Sequence, residues 1–190
     1  MAENSTKENI RKKVRGKLKQ LSGKEISEKS RLIIKALLAY ERWQKANVVM
    51  CYVSTGLEVE TQELIAEALK SNKKIVIPRC DLNIEKMTPY LIENLKTDLQ
   101  KGAYGILEPC EKVKPYEGGI DLCILPGVAF DRKGHRLGRG KGYFDKFLSR
   151  PEYSRAYKIA LSFEVQLVRK LEVRDHDVIM DRIITEKNIY

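Results

Sequence analysis

The stretch "NVVMCYVSTGLEVETQELIAEALKSNKKIVIP", residues 47–78, decides the fold. It begins with a short apolar run, residues 47–54, that is rich in β-branched side chains and typical of a strand buried in a parallel sheet. Residues 61–71 have the apolar spacing of a helix with Thr61 as its cap, and "KKIVIP" is a second buried strand that we expect to end at Pro78. Together these elements predict a βαβ unit.

The rest of the chain continues this alternation. The pattern predicts helices over 7–21, 25–40, 142–149 and 165–171, and strands over 86–92, 120–127, 157–163 and 177–187. Pro89 cannot occupy a central ladder position in the first of these strands. We expect a single α/β domain over residues 1–190, a three-layer sandwich whose mostly parallel central sheet is flanked by helices.

Composition excludes several classes of protein. The 190 residues are 43% hydrophobic, enough for a real core, but no apolar run is long enough to cross a bilayer and the amino terminus is too charged for a signal peptide. We therefore expect a cytoplasmic protein that does not bind membranes. We separately expect a monomer. Four scattered cysteines and two histidines encode neither a disulfide framework nor a zinc site.

Positive charge is concentrated in two segments. The net charge is +10 overall, with +8 in residues 1–45 and +5 in residues 131–150. If the two segments meet in space, they predict an anionic partner. For the first segment, a solvated lysine-rich helix face is the alternative.

The second basic segment contains "DRKGHRLGRGKGYFD", residues 131–145. Glycines let backbone N–H groups approach a phosphate, arginine and lysine neutralise it, and a helix follows. The spacing matches neither the P-loop nor the dinucleotide fingerprint. Asp145 would lie beside such a bound phosphate, and two neighbouring anions suggest a shared Mg²⁺ ion. The alternatives are that the loop is only mobile and that Asp145 only stabilises the amino terminus of the helix.

Five motifs in order resemble the 5-formyltetrahydrofolate cyclo-ligase family, also called methenyltetrahydrofolate synthetases. The longest is "LPGVAFDRKGHRLGRGKGYFDKFL", residues 125–148; the others are "RKKVRGKLKQLS", "STGLEVET", "GILEP" and "HDVIMDRIITE". The resemblance covers nearly the whole chain. It implies Mg²⁺-dependent closure of 5-formyltetrahydrofolate to 5,10-methenyltetrahydrofolate, with ATP as co-substrate.

The resemblance also implies the site residues. Those matching ATP-binding positions are Arg11, Lys12, Lys13, Val14, Arg15, Arg136, Leu137, Gly138, Arg139, Gly140, Lys141, Gly142, Tyr143 and Phe144. Those matching folate-binding positions are Thr55, Glu60, Arg139, Gly140, Lys141, Gly142 and Tyr143. Arg139 and Lys141 match the catalytic positions, and Asp145 and Asp181 match the metal ligands.

Some of these residues have ordinary alternatives. Glu60 could be the acidic start of the following helix, and Asp181 a solvent-facing strand carboxylate. Arg11 stands where the family generally has lysine, and Phe144 replaces the commoner second tyrosine of the motif.

A different class remains open: a basic α/β domain that binds RNA phosphates through the first helix and the glycine-rich segment. The sequence contains no RNP, KH or helix-turn-helix motif, and it lacks the repeated aromatic platforms expected for single strands. We therefore expect no nucleic-acid partner and favour the enzyme.

Overall fold

The computed structural model of the chain describes residues 6–81, 84–102 and 105–190. The helices are α1 (Lys7–Leu18), α2 (Gly23–Leu38), α3 (Glu41–Lys45), α4 (Gln62–Lys70) and α5 (Tyr143–Leu148). The strands are β1 (Val48–Cys51), β2 (Lys74–Asp81), β3 (Lys86–Ile92), β4 (Leu99–Lys101), β5 (Leu107–Pro109), β6 (Leu122–Leu125), β7 (Ala129–Asp131), β8 (Arg136–Leu137), β9 (Tyr157–Leu161), β10 (Leu167–Val168) and β11 (Arg182–Ile184).

A six-stranded sheet forms the centre of the molecule, in the order β11-β9-β6-β1-β2-β3. All neighbouring strands run parallel except the antiparallel pair β2 and β3 at one edge. The predicted α/β class with a mostly parallel sheet is confirmed. In the described part of the chain, two smaller sheets accompany it, in the orders β10-β7-β8 and β4-β5.

Side chains of the central strands alternate between two buried faces. On one face, Val49, Ile124 and Ile159 pack against apolar residues of α1 to α4. On the other, Met50 and Cys123 pack against the short helix α5 and the turn that follows it. Burying both faces of a parallel sheet in this way produces the predicted three layers.

The prediction that β2 ends at Pro78 is wrong. The strand continues to Asp81, and Pro78 lies directly opposite Pro89 of β3. The paired stretch of β1 and β2 ends at Met50 and Val76, so the edge of β2 beyond that point needs no amide donor from Pro78. Pro89 lies in the edge strand, where its missing donor is also tolerated.

Other predicted elements also changed. The predicted helix over 165–171 is instead a turn of 3-10 helix, Glu164–Gln166, followed by the two-residue strand β10. Helix α3 was not predicted. Thr61 does precede α4, but its hydroxyl donates to the carbonyl of Tyr52 instead of capping the helix. No helix in the described ranges is both long and apolar enough to span a bilayer.

Candidate active site

Two loops approach each other beyond the carboxyl ends of the parallel strands. The strand-end loop, residues 54–61, joins β1 to α4, and the glycine loop, residues 138–142, joins β8 to α5. Ligands of open α/β sheets bind at this end of the strands. The site is therefore built from these two loops and from the amino-terminal helix that packs beside them.

Asp131 fixes the base of the hairpin that carries the glycine loop. Its side chain is 1% exposed, and its two oxygens accept from the backbone N–H groups of Lys133, His135 and Leu171 and from His135 Nδ1. Burial alone raises the pKa of Asp131. The hydrogen bonds from Leu171, His135 and Lys133 more than offset that effect, so the net pKa is lowered.

We expect Asp131→Asn to lower the free energy of unfolding by about 2–4 kcal/mol, because an amide leaves buried donors without an acceptor. Since the folded pKa lies below the unfolded value, the wild-type carboxylate contributes stability above roughly pH 4 that is lost as the pH falls through the folded pKa. Urea unfolding between pH 7 and pH 3 should therefore show a shallower acid dependence in the variant. Exposed Asp175→Asn is the control; an equal loss there would contradict this role.

Arg136 and Asp145 form a largely buried ion pair beneath the glycine loop. Arg136 Nη2 donates to Asp145 Oδ1 at 2.9 Å, and the two side chains are 4% and 18% exposed. The backbone N–H of Val178 donates to the same oxygen at 3.3 Å. Arg136 Nε is buried and has no hydrogen-bond partner among the residues that the structure describes, so this guanidinium keeps an unused donor beside the loop.

Helix α1 reaches the glycine loop through Arg11. Its Nε donates to the carbonyl of Gly138 at 3.0 Å, and a methyl group added at Gly140 would lie 3.7 Å from its Nη2. Gly140 and Gly142 have φ of +113° and +67°, values that glycine adopts without strain. The two basic segments of the sequence therefore meet in space.

The neighbours of Arg11 are arranged differently. Lys12, Lys13 and Arg15 are exposed, and within the described ranges no hydrogen bond or ion pair ties them to the glycine loop. Val14 and Leu137 are 1% and 4% exposed and pack in the core. The side chains of these two residues cannot reach a nucleotide, so only their backbone could.

On its other side the glycine loop is joined to the strand-end loop. Arg139 Nη2 donates to Thr55 Oγ1 at 3.1 Å and to Glu58 Oε1 at 2.7 Å. Glu58 Oε2 in turn accepts from Thr55 N at 2.9 Å and from Thr55 Oγ1 at 3.1 Å. We call this closed set of contacts the Thr55–Glu58–Arg139 clasp. The sequence prediction included Thr55 and Arg139 but not Glu58.

The remaining predicted residues differ in exposure. Glu60 is exposed, and its backbone N–H donates to Ser30 Oγ at 3.0 Å. Lys141 is exposed and lies close enough to Glu85 that, after the hydrogen bond and charge of Lys146, it helps to lower the pKa of that carboxyl. Tyr143 and Phe144 are partly buried against the core of the second face.

The two predicted metal ligands are not in contact. Asp181 precedes β11 at the amino ends of the strands, where its carboxylate accepts from the backbone N–H of Lys158 at 2.7 Å. Asp177 is placed differently, because the peptide N–H next to it, that of Val178, touches Asp145. Its own carboxylate pairs with Lys7 Nζ at 3.1 Å. Asp177 stands in the "HD" of the closing motif but was not singled out from the sequence.

The cavity described next does not coincide with this site. A cavity of about 480 Å³ lies at the opposite end of the strands, lined by residues that include Arg42, Asp121 and Tyr157. None of the predicted site residues lines it. We place the site at the two loops because Arg11, Arg139 and the Arg136–Asp145 pair meet there, whereas Asp181 lies at the other end of the strands.

Comparison with known proteins agrees with the family resemblance of the sequence motifs. The model of the 5-formyltetrahydrofolate cyclo-ligase family matches residues 3–186. A mouse 5-formyltetrahydrofolate cyclo-ligase is 32% identical and aligns over 96% of this chain and 95% of its own length. The Aquifex aeolicus 5,10-methenyltetrahydrofolate synthetase structure has a TM-score of 0.84 and 32% identity, covering 96% of this chain and 91% of that one. A second synthetase structure, from Mycoplasma pneumoniae, has a TM-score of 0.74 at 22% identity and shows the fold alone.

These matches span nearly all of the sequence, and the two loops and helix α1 lie within the matched residues. The chain belongs to the 5-formyltetrahydrofolate cyclo-ligase family.

Proposed function

We propose that this protein closes 5-formyltetrahydrofolate to 5,10-methenyltetrahydrofolate and converts ATP to ADP and phosphate. The observation that carries the proposal is the position of the glycine loop. Arg11 of α1 contacts one side of it and Thr55 of the strand-end loop contacts the other. The loop therefore lies between the residues predicted for ATP and those predicted for the folate.

The chemistry needs positioning and charge neutralisation more than a general base. The formyl oxygen attacks the γ-phosphorus of ATP, a new O–P bond forms, and the bond to the β-phosphate oxygen breaks to release ADP. The folate N10 then attacks the activated formyl carbon and loses its proton, and the phosphate leaves with the former formyl oxygen. Arg139 and Lys141 are the exposed cations of the loop. We propose that they stabilise the negative charge that develops on the transferred phosphoryl group.

The folate contact is assigned to Glu60 and Thr55. The Glu60 carboxylate is exposed, and no polar partner of it is found within the described ranges. A pterin ring offers adjacent N–H and amino donors that suit a carboxylate, and a substrate carrying those donors would offset the cost of burying it.

Asp145 could offer Mg²⁺ only part of its carboxylate, because Oδ1 already accepts from Arg136 Nη2 and Val178 N. The described residues contain no group of three or more His, Cys, Asp or Glu side chains that could hold a metal ion by themselves. Mg²⁺ binds proteins through one or two carboxylates together with nucleotide phosphates, so Asp145 needs at most one protein partner. Asp181, the partner predicted from the sequence, lies beside Lys158 at the amino ends of the strands, whereas Val178, the residue after Asp177, donates its backbone N–H to Asp145. We propose that Asp145 holds the ion and that its partner is one of these two aspartates. When bound, the ion would neutralise phosphate charge during the transfer.

The first prediction is the reaction itself. Purified protein with Mg²⁺, ATP and 5-formyltetrahydrofolate should form the near-ultraviolet chromophore of the methenyl product, and ADP release should require the formylated folate. The matched control replaces the substrate with tetrahydrofolate, which lacks the formyl group. A protein that releases no ADP under these conditions, but binds RNA with an affinity that falls steeply with salt, would support the RNA-binding alternative.

We further propose that residues 1–190 form one domain, monomeric and cytoplasmic. These statements stay predictions. Size-exclusion chromatography with light scattering tests the monomer, and imaging of the labelled protein in cells tests the location. An Arabidopsis thaliana relative, 30% identical, is named as mitochondrial, so location varies among similar proteins.

A further inference from the structure

We propose that Glu58 is a positioning residue that sets the place of Arg139 during the reaction. The inference rests on the proposed function, in which Arg139 stabilises the negative charge of the transferred phosphoryl group. It starts from the clasp defined above, in which one carboxylate holds a guanidinium that belongs to a different loop, 81 residues away in sequence.

The two sides of the clasp differ in rigidity. The strand-end loop is anchored in the core: the buried hydroxyl of Tyr52 donates to the carbonyl of Val59, and the hydroxyl of Thr61 donates to the carbonyl of Tyr52. Glu58 itself is 17% exposed, and both of its oxygens are engaged. The glycine loop has glycine at three of its five positions, which gives its backbone more conformational freedom than other residues would. Glu58 is therefore the fixed member and Arg139 the adjustable one.

The clasp leaves most of the guanidinium available. Both contacts use Nη2, and within the described part of the chain no hydrogen bond or ion pair engages Nη1 or Nε of Arg139. The side chain is 56% exposed, so these donors can face an anion. A guanidinium held at one nitrogen can still donate from the other two, which suits the planar, directional recognition of phosphate.

Fixing Arg139 has a cost and a benefit. The carboxylate offsets part of the positive charge, so it weakens the general attraction of the loop for anions. In return it lowers the entropic cost of ordering the long, exposed Arg139 side chain when negative charge develops on the phosphoryl group. The expected signature is an effect on kcat with little effect on the KM for ATP.

The test compares Glu58→Gln, Arg139→Ala and the double variant. We expect Glu58→Gln to lower kcat about tenfold with KM for ATP within about twofold, since amide acceptors hold a guanidinium less firmly than carboxylates do. In the Arg139→Ala background, the same change should lower kcat less than about twofold, because its target is gone. A tenfold loss that persists in that background, or an unchanged kcat in the single variant, would overturn the proposal.

Glu63→Gln is the matched control, since Glu63 is exposed in the first turn of α4 and its change removes the same charge. We expect this variant to keep the wild-type kcat. A similar loss in both variants would mean that net charge, and not the clasp, sets the rate.

Limited trypsin digestion separates this inference from the proposed function. Trypsin cleaves after Arg139 and Lys141, so loss of the clasp should speed cleavage in the glycine loop about fivefold in Glu58→Gln and not in Glu63→Gln. If the wild type formed no methenyl product, the proposed function would fail whatever the digestion showed. If product formed while digestion and kcat were unchanged in Glu58→Gln, only the positioning role would fail.

Discussion

Replacing Asp145 with asparagine is expected to lower kcat for methenyl formation by about a thousandfold, because metal-assisted charge stabilisation is worth several kcal/mol. The amide keeps an oxygen that can accept from Arg136 Nη2 and Val178 N. The substitution therefore removes the negative charge while preserving a partner for the buried guanidinium, which Asp145→Ala would not do. Rates should be measured by chromophore formation across a Mg²⁺ titration, with urea unfolding as the check on the fold.

A near-normal rate of Asp145→Asn at limiting Mg²⁺ would remove this residue from the metal site. The same titration decides the second ligand. Asp181→Asn, at the position predicted from the sequence, and Asp177→Asn, beside Asp145, should differ, and the variant that needs more Mg²⁺ identifies the ligand. Since Asp177 also pairs with Lys7 at 3.1 Å, Lys7→Gln controls for loss of that ion pair.

Replacing Arg139 with alanine is expected to lower kcat by about 10³-fold, the effect usual for an arginine that stabilises the transition state of phosphoryl transfer. Lysine should restore little of this loss, because an ammonium group lacks the fork that can bond Glu58 and a phosphate together. The measurement is single-turnover formation of the methenyl product at saturating ATP, which separates the chemical step from product release.

Arg132→Ala is the matched control for Arg139. Arg132 is another exposed arginine of the same segment, but its guanidinium lies 5.2 Å from the centre of the Tyr190 ring and takes no part in the clasp. We expect its loss to change kcat less than about twofold. Equal losses in both variants would show that the overall charge of the segment matters, and not the position of Arg139.

The local pattern was enough to predict most of the fold. The βαβ unit of residues 47–78 was recognisable because a parallel strand is buried on both faces and must be apolar throughout. Where the sequence misled, contacts distant in the chain decided the structure. Residues 165–171 have helical spacing, yet Leu167 pairs in parallel with Phe130 of β7, and Gln166 Nε2 donates to the carbonyls of Gly127 and Val128.

The site was predicted through its motifs, and the structure adds how those motifs are joined. Glu58 and Asp177 lie inside quoted motifs but carry no local sign of their role, because an exposed-looking acidic residue is usually only solvated. Their partners, Arg139 and Lys7, are 81 and 170 residues away. Only the tertiary structure reveals contacts of that range.

The contact between Arg11 and Gly138 bears on when a newly made chain can assemble the proposed site. Gly138 is synthesised 127 residues after Arg11, which at about 5–20 residues per second is a delay of roughly 6–25 s. During synthesis, helix α1 is therefore complete before the glycine loop that Arg11 contacts has been made. Nascent chains that stop short of the glycine loop cannot assemble this side of the site, whatever part of the sheet they have already formed.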